Sequence, residues 1–170
     1  MGAVMEAAAA PVGLDEVRAY LRVEHEAEDG LIAGLVRTAA GLCEGFTGQA
    51  LIAREVIETV PVSCEWRRLS IAPVRSIEAV GDLPVEAYAI DIDANGDGWV
   101  RVTQPGAQAR VSVTYRAGMA ADWNGVPEAL RQGIIRLVAH LYAHRDRADD
   151  EGPPAAVAAL WRPWRRMRLR

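Results

Sequence analysis

Residues 42–60, LCEGFTGQALIAREVIETV, hold the point at which the chain changes period. Up to Phe46 the apolar residues recur at three- and four-residue intervals, which is the spacing of one face of an α-helix. From Ala50 onward the period is two, that of a strand with alternating faces. Thr47-Gly48 stands between them and ends the helix. Both periods in separate blocks of one chain predict an α+β fold.

N-terminal to the switch, the spacing predicts a helix from about Asp29 to Phe46 with a stripe of Leu31, Ile32, Leu35, Ala39, Leu42, Cys43 and Phe46. Gly34 and Gly41 interrupt it, each at about 1 kcal/mol relative to alanine. The acidic link HEAEDG precedes it, and before that a short helix capped from Gly13 or Asp15 presents Leu14, Val17, Tyr20 and Leu21. C-terminal to the switch, Leu51–Val60, Arg67–Ile71, Val74–Val80, Val85–Ile92, Trp99–Val102 and Arg110–Arg116 read as strands separated by Pro, Gly, Asn and Asp. A loop from Gly118 to Gly125 leads to VPEALRQGIIRLVAHLYAHRD, where Leu130, Ile134, Leu137, Val138 and Leu141 share one helical face behind Pro127. Asp149, Asp150, Gly152, Pro153 and Pro154 then break the helix.

The predicted fold is therefore a small helical bundle with a β-strand insertion between the second and last long helices, and an extended C-terminal tail. One domain spans 1–170: a helical pair over 12–48, the insertion over 50–117, the last long helix over 126–147 and a tail over 153–170. At 170 residues, with 51% hydrophobic and 25% charged residues, such a chain can bury a core. Its 19 basic residues are all arginine. Residues 1–158 carry 14 of them against all 23 acids, a net of −9, whereas residues 159–170 carry five and no acid. The body repels nucleic acid and only the tail attracts it.

Several motifs point to chemistry and fall short of it. Asp91-Ile-Asp-Ala-Asn-Gly-Asp-Gly matches the first half of a calcium-binding EF-hand loop, but Val102 stands where the bidentate glutamate belongs and the flanks read as strands. Asn-Gly and Asp-Gly between alternating apolar residues favour a hairpin turn. His140 and His144 share a helix face, yet Leu141 replaces the metalloprotease glutamate and no third ligand has a familiar spacing, so no metal is expected. Cys43 and Cys64 form no CxxC pair; Cys43 reads as a small hydrophobe. No phosphate loop or nucleophile elbow is present, and no catalytic residue or cofactor is expected. The N-terminus lacks a signal-peptide pattern, Glu6 spoils a myristoylation site at Gly2, and no apolar run is long enough to span a membrane. A soluble, intracellular product is the expectation.

The tail is where function is sought. Trp161, Arg162, Pro163, Trp164, Arg165, Arg166, Met167, Arg168 and Leu169 alternate aromatic or apolar groups with cations. Tryptophan and arginine dominate protein interfaces, so these nine are the candidate partner-binding residues. Stacking on single-stranded nucleic acid, lying on an anionic membrane, and folding back as a strand on the protein's own sheet are the other readings.

The succession of pieces resembles the tailed-phage head–tail connector (adaptor) family. Residues 14–51, LDEVRAYLRVEHEAEDGLIAGLVRTAAGLCEGFTGQAL, are similar to its opening "L…AK-x-HLRV" helix, acidic link, "LI" helix and "TG-x-AL" close. LSIAPVRSIEAV resembles its "L-x-L-P-x-x-PV-x-S-I-x-x-V" strand pair, residues 126–146 its last helix, and LWRPWRRMRL its C-terminal signature. Val17-Arg18 departs from the usual Ala-Lys, and His144 stands where Asn or Glu often precedes arginine. The resemblance implies a non-enzymatic neck component of a phage or gene transfer agent, found in the particle and, during assembly, in the bacterial cytoplasm. It implies a homo-oligomeric ring, dodecameric by expectation, that binds the portal protein through its C-terminal tail and the next tail-side neck protein, the stopper. Double-stranded DNA would pass through the ring without specific binding. A stopper or tail-completion protein, or a small nucleic-acid-binding protein using the tail, are the alternatives.

Overall fold

The structure is a computed structural model, and it describes residues 3–5, 13–104, 108–144 and 153–166. The chain divides into two compact units: a sheet unit of Met1–Ala8 and Ile52–Met119, and a helical unit of Ala9–Leu51 and Ala120–Arg170.

The sheet unit holds strands β1 (Ala3–Met5), β2 (Arg54–Pro61), β3 (Arg67–Arg68), β4 (Val74–Val80), β5 (Tyr88–Ile92), β6 (Gly98–Val102) and β7 (Arg110–Ala117). One antiparallel sheet runs in the order β1-β2-β7-β4 and a second in the order β3-β6-β5. The β2–β7 ladder is unbroken over eight pairs, from Arg54↔Ala117 to Pro61↔Arg110. As the alternation of β7 predicted, Val111, Val113 and Tyr115 point into a core with Val56, Val60, Leu69, Val74, Val80, Val100 and Val102. The same inward face of β2 carries Glu58, which is buried. One of its oxygens, Oε2, accepts from the Tyr115 hydroxyl (2.8 Å), the Ser70 amide (2.9 Å) and the Ser70 hydroxyl (2.8 Å).

That carboxylate explains one difference from the sequence reading. Arg67–Ile71 was expected as a strand, but only two residues pair, because the Ser70 amide is taken by Glu58 and the Ile71 amide by Tyr115 Oη at 3.3 Å. Backbone groups satisfied by side chains have no need of a ladder partner. Likewise Val85–Ala87 form a 3₁₀ turn behind Pro84 rather than the start of a strand, and Val85 is exposed with nothing to pack against. The strand Ala3–Met5, absent from the sequence reading, is an edge strand paired to Met5↔Val56.

The helical unit holds α1 (Leu14–Leu21), α2 (Asp29–Thr47), α3 (Glu128–Ala143) and α4 (Ala155–Trp161). Helix α2 packs on α3, α4 packs on α3, and α1 touches both long helices. Gly48 ends α2 in the left-handed conformation, φ 69°, donating to the Glu44 carbonyl at 2.8 Å. That is the helix stop read from Thr47-Gly48. The buried face of α2 is Ile32, Val36, Ala39, Ala40, Cys43 and Thr47, so it shares Ile32, Ala39 and Cys43 with the expected stripe. Leu31 and Leu42 instead lie 43% and 42% exposed. Both α3 and α4 contact this helix, whose buried face includes the small residues Ala39, Ala40, Cys43 and Thr47. Helix α3 buries Leu130, Ile134, Leu137 and Val138 of the expected face, leaves Leu141 half-buried, and also buries Gly133 and Ile135.

At the far end of the bundle Asp122 caps a 3₁₀ turn, accepting from the amides of Asn124 (2.9 Å) and Gly125 (3.2 Å). Within that turn Trp123 Nε1 donates to Glu16 at 3.1 Å, and Arg131 both lies over the Trp123 ring and donates to Glu16. Among the described residues no helix is long and apolar enough to cross a membrane.

Candidate functional site

The basic, aromatic C-terminal segment was expected to be extended. Residues 155–161 are helical instead, and the reason lies in Val157 and Trp161. Four residues apart on α4, they share one face and are both buried. Pro154 starts the helix, and its carbonyl accepts from Val157 and Ala158. Trp161 then fills a notch that only glycine can leave open on α3. A Cβ at Gly133 would lie 2.1 Å from the indole Nε1, far inside van der Waals contact. The indole N–H is aimed at the Leu130 carbonyl at 3.4 Å. The Phe46 ring lies 5.8 Å away, tilted by 57°.

Of the residues expected to hold a partner, Trp161 thus belongs to the protein's own core, at 0% exposure. A fully desolvated indole has no surface left to offer a partner. After it a 3₁₀ turn, Arg162–Trp164, carries the chain back across the end of α2. The Arg166 amide donates to the Thr47 carbonyl at 2.8 Å. Gln49 Nε2 donates to the Trp164 carbonyl at 2.6 Å. Arg165 places its guanidinium 5.7 Å from the centre of the Phe46 ring. Arg162, Pro163 and Arg165 are exposed, while Trp164 and Arg166 are half-buried. These five carry three guanidinium groups and one partly available indole. Met167, Arg168 and Leu169 lie outside the described residues.

Gly133, Thr47 and Gln49 were not found by sequence reasoning. A glycine inside an apolar helix stripe was the available signal for the first; Thr47 was marked only as part of the helix stop, and nothing local marked Gln49.

The remaining motifs resolve into structure. Residues 91–98 form the β5–β6 hairpin, and the Asp93 carboxylate accepts from the amides of Asn95 (2.8 Å) and Asp97 (3.0 Å). Asp97 in turn pairs with Arg68 at 2.7 Å. Of the oxygens that resemble calcium ligands, those of Asp93 are therefore engaged in closing the turn and that of Asp97 in an ion pair. His144 Nδ1 lies 2.9 Å from the His140 carbonyl, and the two rings stack at 4.4 Å. Among the described residues no group of three His, Cys, Asp or Glu side chains converges. Cys43 is buried and Cys64 exposed, both as free thiols. Burial, reinforced by the Glu44 charge, pushes the Cys43 thiol up to about 12. Tyr115 is also raised well above the usual phenol range, by burial first and then by Glu58. Near the acidic link, the Tyr142 hydroxyl donates to Glu28 in an open cleft lined by Arg22, Glu24 and His25.

Fold and surface together define a class: a small α+β protein whose distinctive chemistry is an ordered cationic, aromatic C-terminal surface. Comparison with solved structures narrows it. The chain is similar to a protein in the neck of an empty gene transfer agent particle, determined with sixfold symmetry, at 26% identity and TM-score 0.81; the likeness covers 99% of this chain and 97% of that one. It is similar, at TM-score 0.75, to a chain of the virion of a native gene transfer agent particle (25% identity) and to one in the neck of the native particle determined with twelvefold symmetry (26% identity). Both likenesses cover 99% of this chain and 97% of the other. No family model matches the chain, and no curated protein matches it.

Proposed function

We propose that this chain is a structural neck protein of a gene transfer agent or phage-like particle, acting as the adaptor ring between portal and tail. The observation that carries the reading is the likeness to gene transfer agent neck chains along nearly the full length of both proteins. The adaptor role, as against the stopper's, rests on the sequence resemblance of residues 14–51, 69–80 and 126–146 to the connector family. The chain works as a building block rather than a catalyst.

Several properties of the molecule suit that work. A ring of identical subunits needs two different complementary faces on each copy. The symmetric neck particles of the similar chains support a ring here, with twelve copies the expected number. The body's net charge of −9 disfavours gripping DNA that passes along the axis. Arg162, Pro163, Trp164, Arg165 and Arg166 supply the portal-facing contact, continued by Met167, Arg168 and Leu169. Tryptophan and arginine are the side chains that most often dominate such contacts. The opposite face of the ring meets the stopper, and the site of action is the neck of the particle.

The test is co-sedimentation with the portal ring of the same particle. The full chain is expected to bind, and Arg162→Glu combined with Arg165→Glu to abolish binding while leaving the circular dichroism spectrum unchanged. Full-strength binding by the double variant would remove the tail from the interface. Failure of the wild-type chain to bind would remove the adaptor reading. Affinity for DNA that collapses steeply between low and physiological salt would favour the nucleic-acid reading instead.

A further inference from the structure

The structure assigns to Gly133, Trp161 and Gln49 the role of positioning residues that pre-organise the C-terminal docking surface before any partner arrives. This rests on the portal-docking reading above. A tail that ordered only on binding would carry the entropic cost of that ordering. The contacts argue for the opposite arrangement.

Three independent attachments hold residues 155–166 to the bundle. The first is Trp161, seated where a Cβ at Gly133 would approach its indole to 2.1 Å, with its N–H toward the Leu130 carbonyl. The second is the backbone bond from Arg166 to Thr47, the last residue of α2. The third is the side chain of Gln49, which holds the Trp164 carbonyl at 2.6 Å. Trp161 is the large side chain and makes the anchorage; Gln49 and Thr47 then set the direction in which the following residues run. As a result the backbone that carries Arg162, Trp164 and Arg165 is held in one course along the end of α2, with Arg165 resting against the Phe46 ring. A surface ordered in advance loses less freedom on association, and that saving appears as affinity.

None of these three residues needs to touch the partner. Trp161 is fully buried, and Gly133 has no side chain. Their effect on docking would be transmitted through the geometry of residues 162–166 alone.

Hydrogen exchange on the free full-length chain, paired with co-sedimentation on the portal ring, tests the assignment. In the wild type, amides of 155–166 are expected to be protected. Gly133→Ala, and separately Gln49→Ala, should raise exchange in that segment by about tenfold or more while α2 and α3 keep their protection. Portal affinity should fall by about the same factor. The double variant Gly133→Ala/Trp161→Phe, with a smaller ring opposite the new methyl, should recover both protection and binding. If Gly133→Ala perturbs the whole bundle, Gln49→Ala carries the test, because its half-buried side chain is not part of the core. Exchange unchanged in the variants overturns the assignment. So does a loosened segment that binds with unchanged affinity, in which case the docking reading itself stands. A wild-type chain that fails to bind the portal overturns both.

Discussion

The two compact units are closed by different means. The sheet unit is held by distributed register: eight consecutive pairs between β2 and β7, a valine-rich interior, and a buried carboxylate that gathers three donors from two other segments. The helical unit is closed at its C-terminal end by one large side chain, Trp161, in a gap left by one glycine. The first arrangement spreads its stabilisation over many positions and makes its specific demand a polar one. The second concentrates it at a single steric fit. Substitutions should therefore divide the units by chemistry: size matters most in one, hydrogen-bond completeness in the other.

The largest effect is expected from Trp161→Ala. Removing a fully buried indole leaves a cavity lined by Phe46, Leu130 and Gly133 and should cost about 3–5 kcal/mol, measured by urea unfolding followed by far-UV circular dichroism. A change below about 1 kcal/mol would mean that the notch is not closed in solution.

Tyr115→Phe probes the other unit. It removes one of three donors to the buried Glu58 and the acceptor facing the Ile71 amide, with almost no change in volume. The expected loss is roughly 1–3 kcal/mol, since buried polar groups are left short of partners. An unchanged midpoint would show that the carboxylate is satisfied in another way.

The comparison sharpens in alkali. Tyr115 has its folded-state pKa raised by burial and by Glu58. In the unfolded chain a tyrosine loses its proton near pH ~10. The unfolded state therefore releases a proton that the folded state retains. The contribution of Tyr115 to stability is full below about pH 10 and is lost as pH rises beyond it. Cys43 behaves alike in the helical unit: its contribution is full below the unfolded thiol value of about 8.5. That contribution falls away as pH rises toward the folded value of about 12. Iodoacetamide at pH 8 should accordingly modify the exposed Cys64 at once and Cys43 only on unfolding. Equal rates for the two thiols would contradict the burial of Cys43. Alkaline unfolding of Tyr115→Phe should lose the tyrosine-linked part of its pH dependence.

The smallest effect belongs to the β5–β6 turn. Asp93→Ala removes the acceptor for two backbone amides at a half-buried position and should cost about 1 kcal/mol, read as a small fall in melting temperature. Calcium should leave that temperature unaltered in both wild type and variant; a calcium-dependent rise abolished by Asp93→Ala would instead revive the ligand loop.

Much of the architecture was legible because it is local. The stop at Thr47-Gly48, the alternation of β7, the span Val74–Val80 and the hairpin at residues 91–98 each follow from a period or a turn residue that acts within a few positions. The errors share a cause as well. Leu31 and Leu42 face out because a stripe says which residues lie together on a helix, not how far the neighbouring helices rotate it. Strand Ala3–Met5 was missed because three residues carry too little pattern, and only pairing with residues some fifty positions away makes them a strand. Arg67–Ile71 was cut short by side chains of β2 and β7 that no local window contains.

By itself, then, the sequence determined the α+β class, the order of the long elements and a cationic, aromatic C-terminus, since all three follow from composition and short-range spacing. Only the tertiary structure decided that residues 155–161 form a helix with Trp161 turned inward. That outcome depends on Gly133, a residue 28 positions away whose importance is the absence of a side chain. Steric complementarity between distant segments leaves no periodic trace, and so it becomes visible only when the segments meet.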